Sequence, residues 1–225
     1  AKGMAGKKWE KVTWGLLLLV LAVLVTLAWP GEQRAGEPKA DLRAYLPALV
    51  GTTYHFAGSG MEFAAFSRRI TFAGEGLLQL EDLSGTNLAM VVEHGPHELK
   101  AIYAEEEFYE ERSLLDEAAR RERELGREVE LIWLQAPLKV GHSWSDENFT
   151  REIAAVNQVV EVPLGVFHDV VVVKSLSRAA PETVLYEYYA KNVGLIKREF
   201  LLDVGGEPYA VVSSLEGLGS PANRW

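Results

Sequence analysis

Residues 77–93 have the sequence LLQLEDLSGTNLAMVVE, and this stretch decides the fold class. Two apolar runs, 77–82 and 88–93, flank the sequence SGTN at positions 84–87. Serine, glycine and asparagine favour tight turns, so the pattern predicts two antiparallel strands joined by a short connection. We therefore expect a sheet in which neighbouring strands are consecutive in sequence.

Similar turn sequences recur on both sides of this stretch, at intervals of roughly 8 to 12 residues, which is typical of antiparallel meanders. We expect a mainly β domain at residues 45–216, built from antiparallel meander sheets that form a curved sheet or a half-open barrel. Strands are predicted at residues 52–57, 63–73, 77–82, 88–93, 98–104, 129–134, 149–156, 159–163, 167–177, 183–190, 195–202 and 209–215.

One segment departs from the strand pattern and predicts a helix. Ser113 is followed by Asp116 and Glu117, a start that resembles a capping box, and Gly126 provides a stop. Because this helix lies between two groups of strands, we expect it to connect the two halves of the domain.

The two halves share a repeated pattern. Residues 47–54, PALVGTTY, and residues 137–144, PLKVGHSW, both fit P-x-x-V-G-x-[ST]-[YW] at an offset of 90 positions. Farther on, FSRRI at 66–70 is echoed by FTREI at 149–153. Two matches in the same order favour two related meanders, although sheet-forming sequences also resemble one another by chance.

The N-terminal part predicts a membrane anchor. Residues 12–29, VTWGLLLLVLAVLVTLAW, carry no charge, and as a helix they would be about 27 Å long, close to the thickness of the hydrocarbon layer. Lysines precede this segment, so residues 1–11 are predicted to form a cytoplasmic tail. The single-pass signal anchor then places a stalk (30–44), the β domain and a C-terminal tail (217–225) outside the cell. A cleaved signal peptide is the alternative.

Charge and cysteine content exclude several classes of function. Beyond residue 29 the chain carries 19 basic and 31 acidic side chains, a net charge of −12. Such a domain repels phosphate backbones, so we expect no nucleic-acid partner. The absence of cysteine excludes thiol nucleophiles, disulfides, cysteine-ligated zinc and a lipidated cysteine.

No motif for catalysis or metal binding is present. His94 and His97 flank a turn and could hold a metal ion only with a third ligand from elsewhere, whereas exposed turn histidines are the simpler interpretation. His142 and His168 also lie in turn-like contexts. Ser59 lacks the spacing of a G-x-S-x-G elbow. The sequence therefore predicts no catalytic, cofactor-binding or metal-binding residue, no cofactor and no enzyme activity.

The carboxylates and the aromatic residues each allow an alternative function for the domain. The Glu run at 105–111 is typical of a solvated face, and residues 146–148, DEN, of a polar turn, but paired carboxylates that converge in the fold could serve a hydrolase. Aromatic side chains occupy the predicted strands, and filling the core is their usual role. Curved sheets can instead enclose an apolar ligand. The alternation at 186–188 and 197–200 indicates that one sheet face is solvated. The aromatic residues are Tyr54, Phe56, Phe63, Phe66, Phe72, Trp133, Trp144, Phe149, Tyr186, Tyr188, Tyr189 and Phe200.

Three stretches resemble a bacterial family. Residues 136–144 (APLKVGHSW), 162–167 (VPLGVF) and 188–200 (YYAKNVGLIKREF) are similar to the PLKVGxxW, VPAGTF and YYAxGVGLVKxEF motifs of cell-surface lipoproteins of unassigned function, mainly from Gram-positive bacteria. The likeness covers most of residues 45–216. It implies a β-rich extracytoplasmic domain and no catalytic residues. This chain departs from the family in having no cysteine to lipidate, and in Leu164 and Val166 within the second motif.

Together these patterns predict a membrane-anchored extracytoplasmic binding or interaction module of the bacterial cell envelope, without enzyme activity. Its expected partners are the lipid bilayer, through residues 12–29, and an envelope protein or apolar ligand. One alternative is a carrier or sensor of a lipid or other apolar ligand in a β cavity. A second is an envelope hydrolase that uses paired carboxylates.

Overall fold

The computed structural model describes residues 40–125, 130–204 and 207–219. The predicted cytoplasmic tail, the predicted transmembrane segment and residues 30–39 of the predicted stalk lie outside these ranges. Within them, no helix combines the length and apolarity needed to cross a bilayer.

Twelve antiparallel strands form one sheet in the described part of the chain, which confirms the mainly β fold class. Their spatial order is β6-β5-β4-β3-β2-β1-β12-β11-β10-β9-β8-β7. The strands are β1 (Thr53–Ser59), β2 (Phe66–Gly74), β3 (Leu77–Leu83), β4 (Asn87–His94), β5 (Glu98–Glu106), β6 (Leu131–Gln135), β7 (Ser143–Ser145), β8 (Phe149–Val162), β9 (Gly165–Ser177), β10 (Val184–Ala190), β11 (Gly194–Val204) and β12 (Glu207–Gly219).

This order consists of two six-stranded meanders joined through the pairing of β1 with β12. The strands at the ends of the order, β6 and β7, approach each other through side-chain hydrogen bonds, so the sheet is barrel-like and nearly closed. Trp144 Nε1 donates to the carbonyl oxygen of Ile132 at 2.9 Å. The Asp146 carboxylate accepts from the Ile132 N–H at 3.4 Å.

The predicted strands agree with the structure except around residues 143–162 and at the start of the strand predicted at 63–73, where a 3-10 helix, Glu62–Ala64, precedes β2. Residues 149–156 and 159–163 were expected as two strands but form the single strand β8, in which Asn157 has a positive φ of 55°. Register shifts in the pairing of β8 with β9 interrupt the alternation on which the prediction depended. The short strand β7 was missed because three residues are too few to show a period.

The repeated pattern has a direct structural counterpart. Gly51 N donates to Ile70 O at 2.7 Å, and Gly141 N donates to Ile153 O at 2.9 Å. Tyr54 pairs with Arg68, and Trp144 pairs with Arg151 in the same way. Each half therefore begins with the same turn followed by the same strand register. This is the local arrangement that two related halves would share.

The N-terminal residues of the described domain close one end of the barrel-like sheet. Asp41 caps a 3-10 helix, Leu42–Tyr45, in which Leu42 is fully buried. Leu42 N donates to Pro96 O at 3.0 Å, and Asn192 N donates to Ala44 O at 2.6 Å. The turn that contains Pro96 and the turn that contains Asn192 lie at the same end of the strands. The folded domain thus includes residues before position 45, where the domain was predicted to begin.

The helix α1 (Leu115–Leu125) covers the outer face of β3, β4 and β5. Leu114 and Ala118 pack with Ala89 and Val91 in a second apolar cluster, separate from the core inside the sheet. The helix follows β5 and precedes β6, so it lies within the first meander. The expectation that it connects the two halves is wrong, because along the chain the first half ends with β6 and the second begins with β7, both after the helix.

Candidate functional site

A cavity of about 600 Å³ opens at the end of the sheet opposite the N-terminal 3-10 helix. It lies where β3 and β11 end and where β4 and β12 begin, and β2 and β5 also contribute to it, so six strands and their connections form the lining. Its lining consists of Met61, Phe63, Ala64, Phe66, Asp82, Ser84, Thr86, Asn87, Leu88, Glu106, Arg198, Phe200, Leu202, Val211 and Ser213.

One wall of the cavity is the connection between β1 and β2, which folds back over the inner face of the sheet. Its 3-10 helix, Glu62–Ala64, is held by Ser213, whose hydroxyl donates to Ala64 O at 2.6 Å. The Tyr209 hydroxyl donates to the carbonyl oxygen of Gly60 at the start of this connection. The Phe63 ring lies close to Gly85, where a β-carbon would come within 2.8 Å of the ring. Phe63 therefore spans the mouth from one connection to the next.

The floor of the cavity carries an aromatic ring, Phe66, that lies close to two arginines. Phe66 stacks on Phe56, with ring centroids 4.4 Å apart and planes 5° apart. The guanidinium carbons of Arg68 and Arg198 lie 5.9 Å and 5.6 Å from the centroid of the Phe66 ring. At these distances each cation is attracted by the aromatic face. The ring thus holds both charged side chains in place.

Each of these arginines has an ion-pair partner on the neighbouring strand. Arg68 Nε and Nη2 donate to the two carboxylate oxygens of Asp82 at 2.6 Å and 2.7 Å. Arg198 Nε and Nη2 both donate to Oε1 of Glu187, at 3.2 Å and 3.1 Å. A buried charge is stable only with a partner, so these pairs keep charged groups inside a largely apolar sheet.

Burial and neighbouring charges shift the pKa values of two residues at the floor, Arg68 and Tyr189. Burial by itself would lower the pKa of Arg68, but the Asp82 carboxylate outweighs burial and raises that pKa above its usual value. Burial, together with the negative charge of Glu187, raises the pKa of the Tyr189 phenol. Arg68 therefore stays cationic and Tyr189 stays neutral at physiological pH.

The remaining lining combines the polar side chains of Ser84, Thr86, Asn87, Glu106 and Ser213 with apolar side chains, some of which are exposed. Met61 is 56% and Phe63 is 60% exposed at the mouth, while Val211 is buried against the sheet. The volume lies within the range of sites that bind small molecules, which are mostly apolar with a few polar groups that fix orientation. This arrangement can hold an apolar body against the walls and a polar group against the floor.

The residues weighed in the sequence lie away from this floor. His94 Nε2 is hydrogen-bonded to Leu46 O at 2.6 Å, at the opposite end of the sheet. Over the described ranges, no group of three or more His, Cys, Asp or Glu is placed to bind a metal ion. Ser59 is the exposed last residue of β1. His168 is exposed, as expected, whereas His142 is half-buried and lies 3.1 Å from Oε1 of Gln135.

The carboxylates agree with expectation only in part. Glu106, Glu107, Glu110 and Glu111 are exposed, as a solvated run should be. The predicted polar turn at 146–148 is present, but Asp146 within it is buried and pairs with the buried Arg151.

The charged floor was missed because the alternation at 186–188 and 197–200 predicts a solvated sheet face and gives no sign of an ion pair inside the sheet. Glu187 stands between Tyr186 and Tyr188, an alternation that indicated a solvated sheet face, whereas Arg198 stands in a charged run between Lys197 and Glu199. In the structure Glu187 is only 6% exposed and lies inside the sheet. Tyr188 lies on the outer face, where its hydroxyl donates to Glu199 at 2.8 Å. The sequence signal that could have indicated this ion pair was the position of Glu187 opposite Arg198 in the predicted pair of neighbouring strands.

Comparisons with known proteins give no family assignment. No family model and no curated protein matches the chain. Among solved structures, it is similar to a Bacteroides fragilis protein predicted to be exported and described as having a YmcC-like fold, with 14% identity, a TM-score of 0.42, and coverage of 76% of this chain and 96% of that one. It is also similar to a predicted lipoprotein of Parabacteroides distasonis, with 13% identity, a TM-score of 0.41, and coverage of 78% and 98%. The resemblance to cell-surface lipoproteins stays a prediction.

Proposed function

We propose that this protein is a non-enzymatic binding module of the cell envelope, and that its cavity holds a small ligand with an apolar body. The observation that carries the proposal is the 600 Å³ cavity, in which exposed Met61 and Phe63 stand above an ion-paired floor. Apolar side chains exposed at the mouth of a cavity are stabilised when a ligand removes them from water. Of the alternatives derived from the sequence, the carrier or sensor of an apolar ligand fits this geometry best.

The predicted location rests on the sequence. The uncharged segment at residues 12–29, the lysines before it and the acidic charge after it all favour a domain tethered outside the membrane. Protease added to intact cells should then degrade the β domain, and the intact chain should stay with the membrane fraction. A mature chain that begins after residue 29 and is released into the medium would instead support the cleaved signal peptide.

Hydrolysis has weaker support from the cavity. Asp82 and Glu106 both line it, but both oxygens of Asp82 accept hydrogen bonds from Arg68, and Glu106 is exposed at the rim. Because Arg68 occupies both oxygens of Asp82, neither oxygen is free to exchange a proton with a substrate.

Native mass spectrometry of the full chain, released from nanodiscs, tests the binding proposal. We expect a bound mass of a few hundred daltons, and saturable binding of the neutral fluorophore N-phenyl-1-naphthylamine. Thr86→Trp should abolish both because the indole would fill the mouth, whereas Thr150→Trp, at an exposed threonine on β8, should preserve them. A parent chain that carries no bound mass and binds no fluorophore would overturn the proposal.

A further inference from the structure

We propose that the ligand of this cavity is a single-chain amphiphile with an anionic head group, and that Arg198 binds the head group while the walls take the chain. This inference rests on the proposed function, because it names the chemistry of the ligand that the cavity would hold. It depends on a difference between the two ion pairs of the floor.

The Asp82 carboxylate is already engaged at both of its oxygens. Both of its oxygens accept short hydrogen bonds from Arg68, whose side chain is 6% exposed. A carboxylate engaged by a two-pronged guanidinium has little remaining attraction for a cationic ligand. The negative charge at this side of the cavity is therefore neutralised from within.

Arg198 is arranged in the opposite way. Both of its bonded nitrogens donate to a single oxygen of Glu187, and among the described residues Nη1 donates to no protein acceptor. The Arg198 side chain is 25% exposed, whereas the Glu187 side chain behind it is 7% exposed. The cation rather than its carboxylate therefore faces the cavity. A guanidinium has five donors in a planar fork, so it can bind a second anion along its free edge.

The surroundings strengthen such a bond. The guanidinium carbon of Arg198 lies over the Phe66 ring, 5.6 Å from its centroid, and Phe200, two residues along the same strand, also lines the cavity. Charge-assisted hydrogen bonds are strong where water is excluded. Glu106 also lines the cavity but is exposed, so solvent and salt screen its charge. The position of greatest anion attraction is thus the floor, below the apolar mouth.

The size of the cavity limits the chain. A volume of about 600 Å³ is that of a site for a drug-sized molecule, which fits one acyl chain with its head group. Met61, Phe63 and Leu88 would contact the chain near the mouth.

Photolabelling of the full chain in nanodiscs tests the inference. Three twelve-carbon probes would carry the same diazirine and differ only in the head group, which is carboxylate, primary ammonium or hydroxyl. Labelled positions are then mapped by peptide mass spectrometry. We expect the carboxylate probe to label the peptides that contain Phe63 and Phe200 roughly tenfold more than the other two, because a charge-assisted hydrogen bond contributes about that factor. Unlabelled dodecanoate should compete.

The double variant Glu187→Gln/Arg198→Met removes the cation together with its partner, so no buried carboxylate is left unpaired. Its labelling by the carboxylate probe should fall roughly tenfold, to the level of the hydroxyl probe. The matched control is Glu152→Gln/Lys174→Met, an outer-face pair on β8 and β9 with N–O distance 3.8 Å, which should label like the parent. Thermal melts verify that both variants are folded.

The outcomes separate the two proposals. Equal labelling of the cavity by all three probes, or preference for the ammonium probe, would overturn the assignment of the head group and leave the binding function standing. A loss of labelling in the control variant equal to that in the Arg198 variant would also overturn the role of Arg198. Absence of cavity labelling by every probe would overturn the proposed function itself.

Discussion

Trp144 donates its indole N–H to the backbone carbonyl of Ile132 at 2.9 Å, and this bond joins the first strand of the second half to the last strand of the first. Asp146 reaches the N–H of the same residue. The two ends of the sheet are thus held together by side chains, where the other strand pairs use a backbone ladder. A small number of residues therefore determines whether the barrel-like sheet stays closed.

Trp144→Phe should weaken this closure. The ring stays apolar, but the Ile132 carbonyl loses its partner in a buried position, which costs about 1–3 kcal/mol of unfolding free energy. Urea denaturation measures the change. Trp133→Phe, in the adjacent β6 residue, is the control, because it removes the same part of a buried indole without breaking this bond. A loss for Trp144→Phe no larger than that of the control would contradict the proposed closure.

Asp146→Asn tests the buried ion pair beside the seam. Asp146 and Arg151 have side chains that are 0% and 3% exposed, so the variant leaves a buried cation without its counter-ion. We expect a loss of about 3–5 kcal/mol in unfolding free energy. Glu152→Gln removes an exposed partner of Lys174 on the same strand pair and should cost about 0–1 kcal/mol. Similar losses for the two variants, measured by denaturant titration, would show that burial of the pair is not what matters.

Turn residues made most of the strands predictable from sequence, and the repeated pattern predicted two related meanders. Proline and glycine at equivalent places fix a turn, and the next aromatic residue then opens a strand. Tyr54 and Trp144 therefore acquire equivalent arginine partners, Arg68 and Arg151. Local chemistry decides such features, so they are visible before any tertiary contact is known.

The cavity could not be predicted for two physical reasons. Alternation with period two shows that a strand has two different faces, but not which face a nearly closed sheet turns inward. The alternation around Glu187 and Arg198 therefore predicted a solvated face but not that this pair lies inside the sheet. The wall also depends on Ser213 holding Ala64, a contact between residues 149 positions apart. Such a contact leaves no mark on the sequence around either residue.

Arg43→Ala should raise the pKa of Asp41. The hydrogen bond from the Arg43 guanidinium lowers that pKa from 3.8 to about 2 in the exposed N-terminal cap. A lowered pKa means that the ionised carboxylate favours the folded state above about pH 4, and that this contribution is lost as the pH falls toward 2. Carboxyl-carbon NMR titration measures the midpoint, which should return toward 3.8 in the variant. Arg120→Ala, which breaks an exposed pair with Glu124, should leave the Asp41 midpoint unchanged.

Gly58→Ala should disrupt the wall of the cavity. A β-carbon at Gly58 would lie 2.1 Å from the Ala65 nitrogen and 2.4 Å from the Ala64 carbonyl carbon, both of them backbone atoms, so the connection at 60–65 must move. We expect a loss of about 1–3 kcal/mol in stability together with weaker binding of N-phenyl-1-naphthylamine, because the displaced wall carries Met61 and Phe63. Gly74→Ala is the matched control, since its β-carbon would lie 3.8 Å from Leu115 Cδ1, an ordinary contact. If Gly58→Ala bound the fluorophore as tightly as Gly74→Ala, the 60–65 connection would not form the ligand-contacting wall.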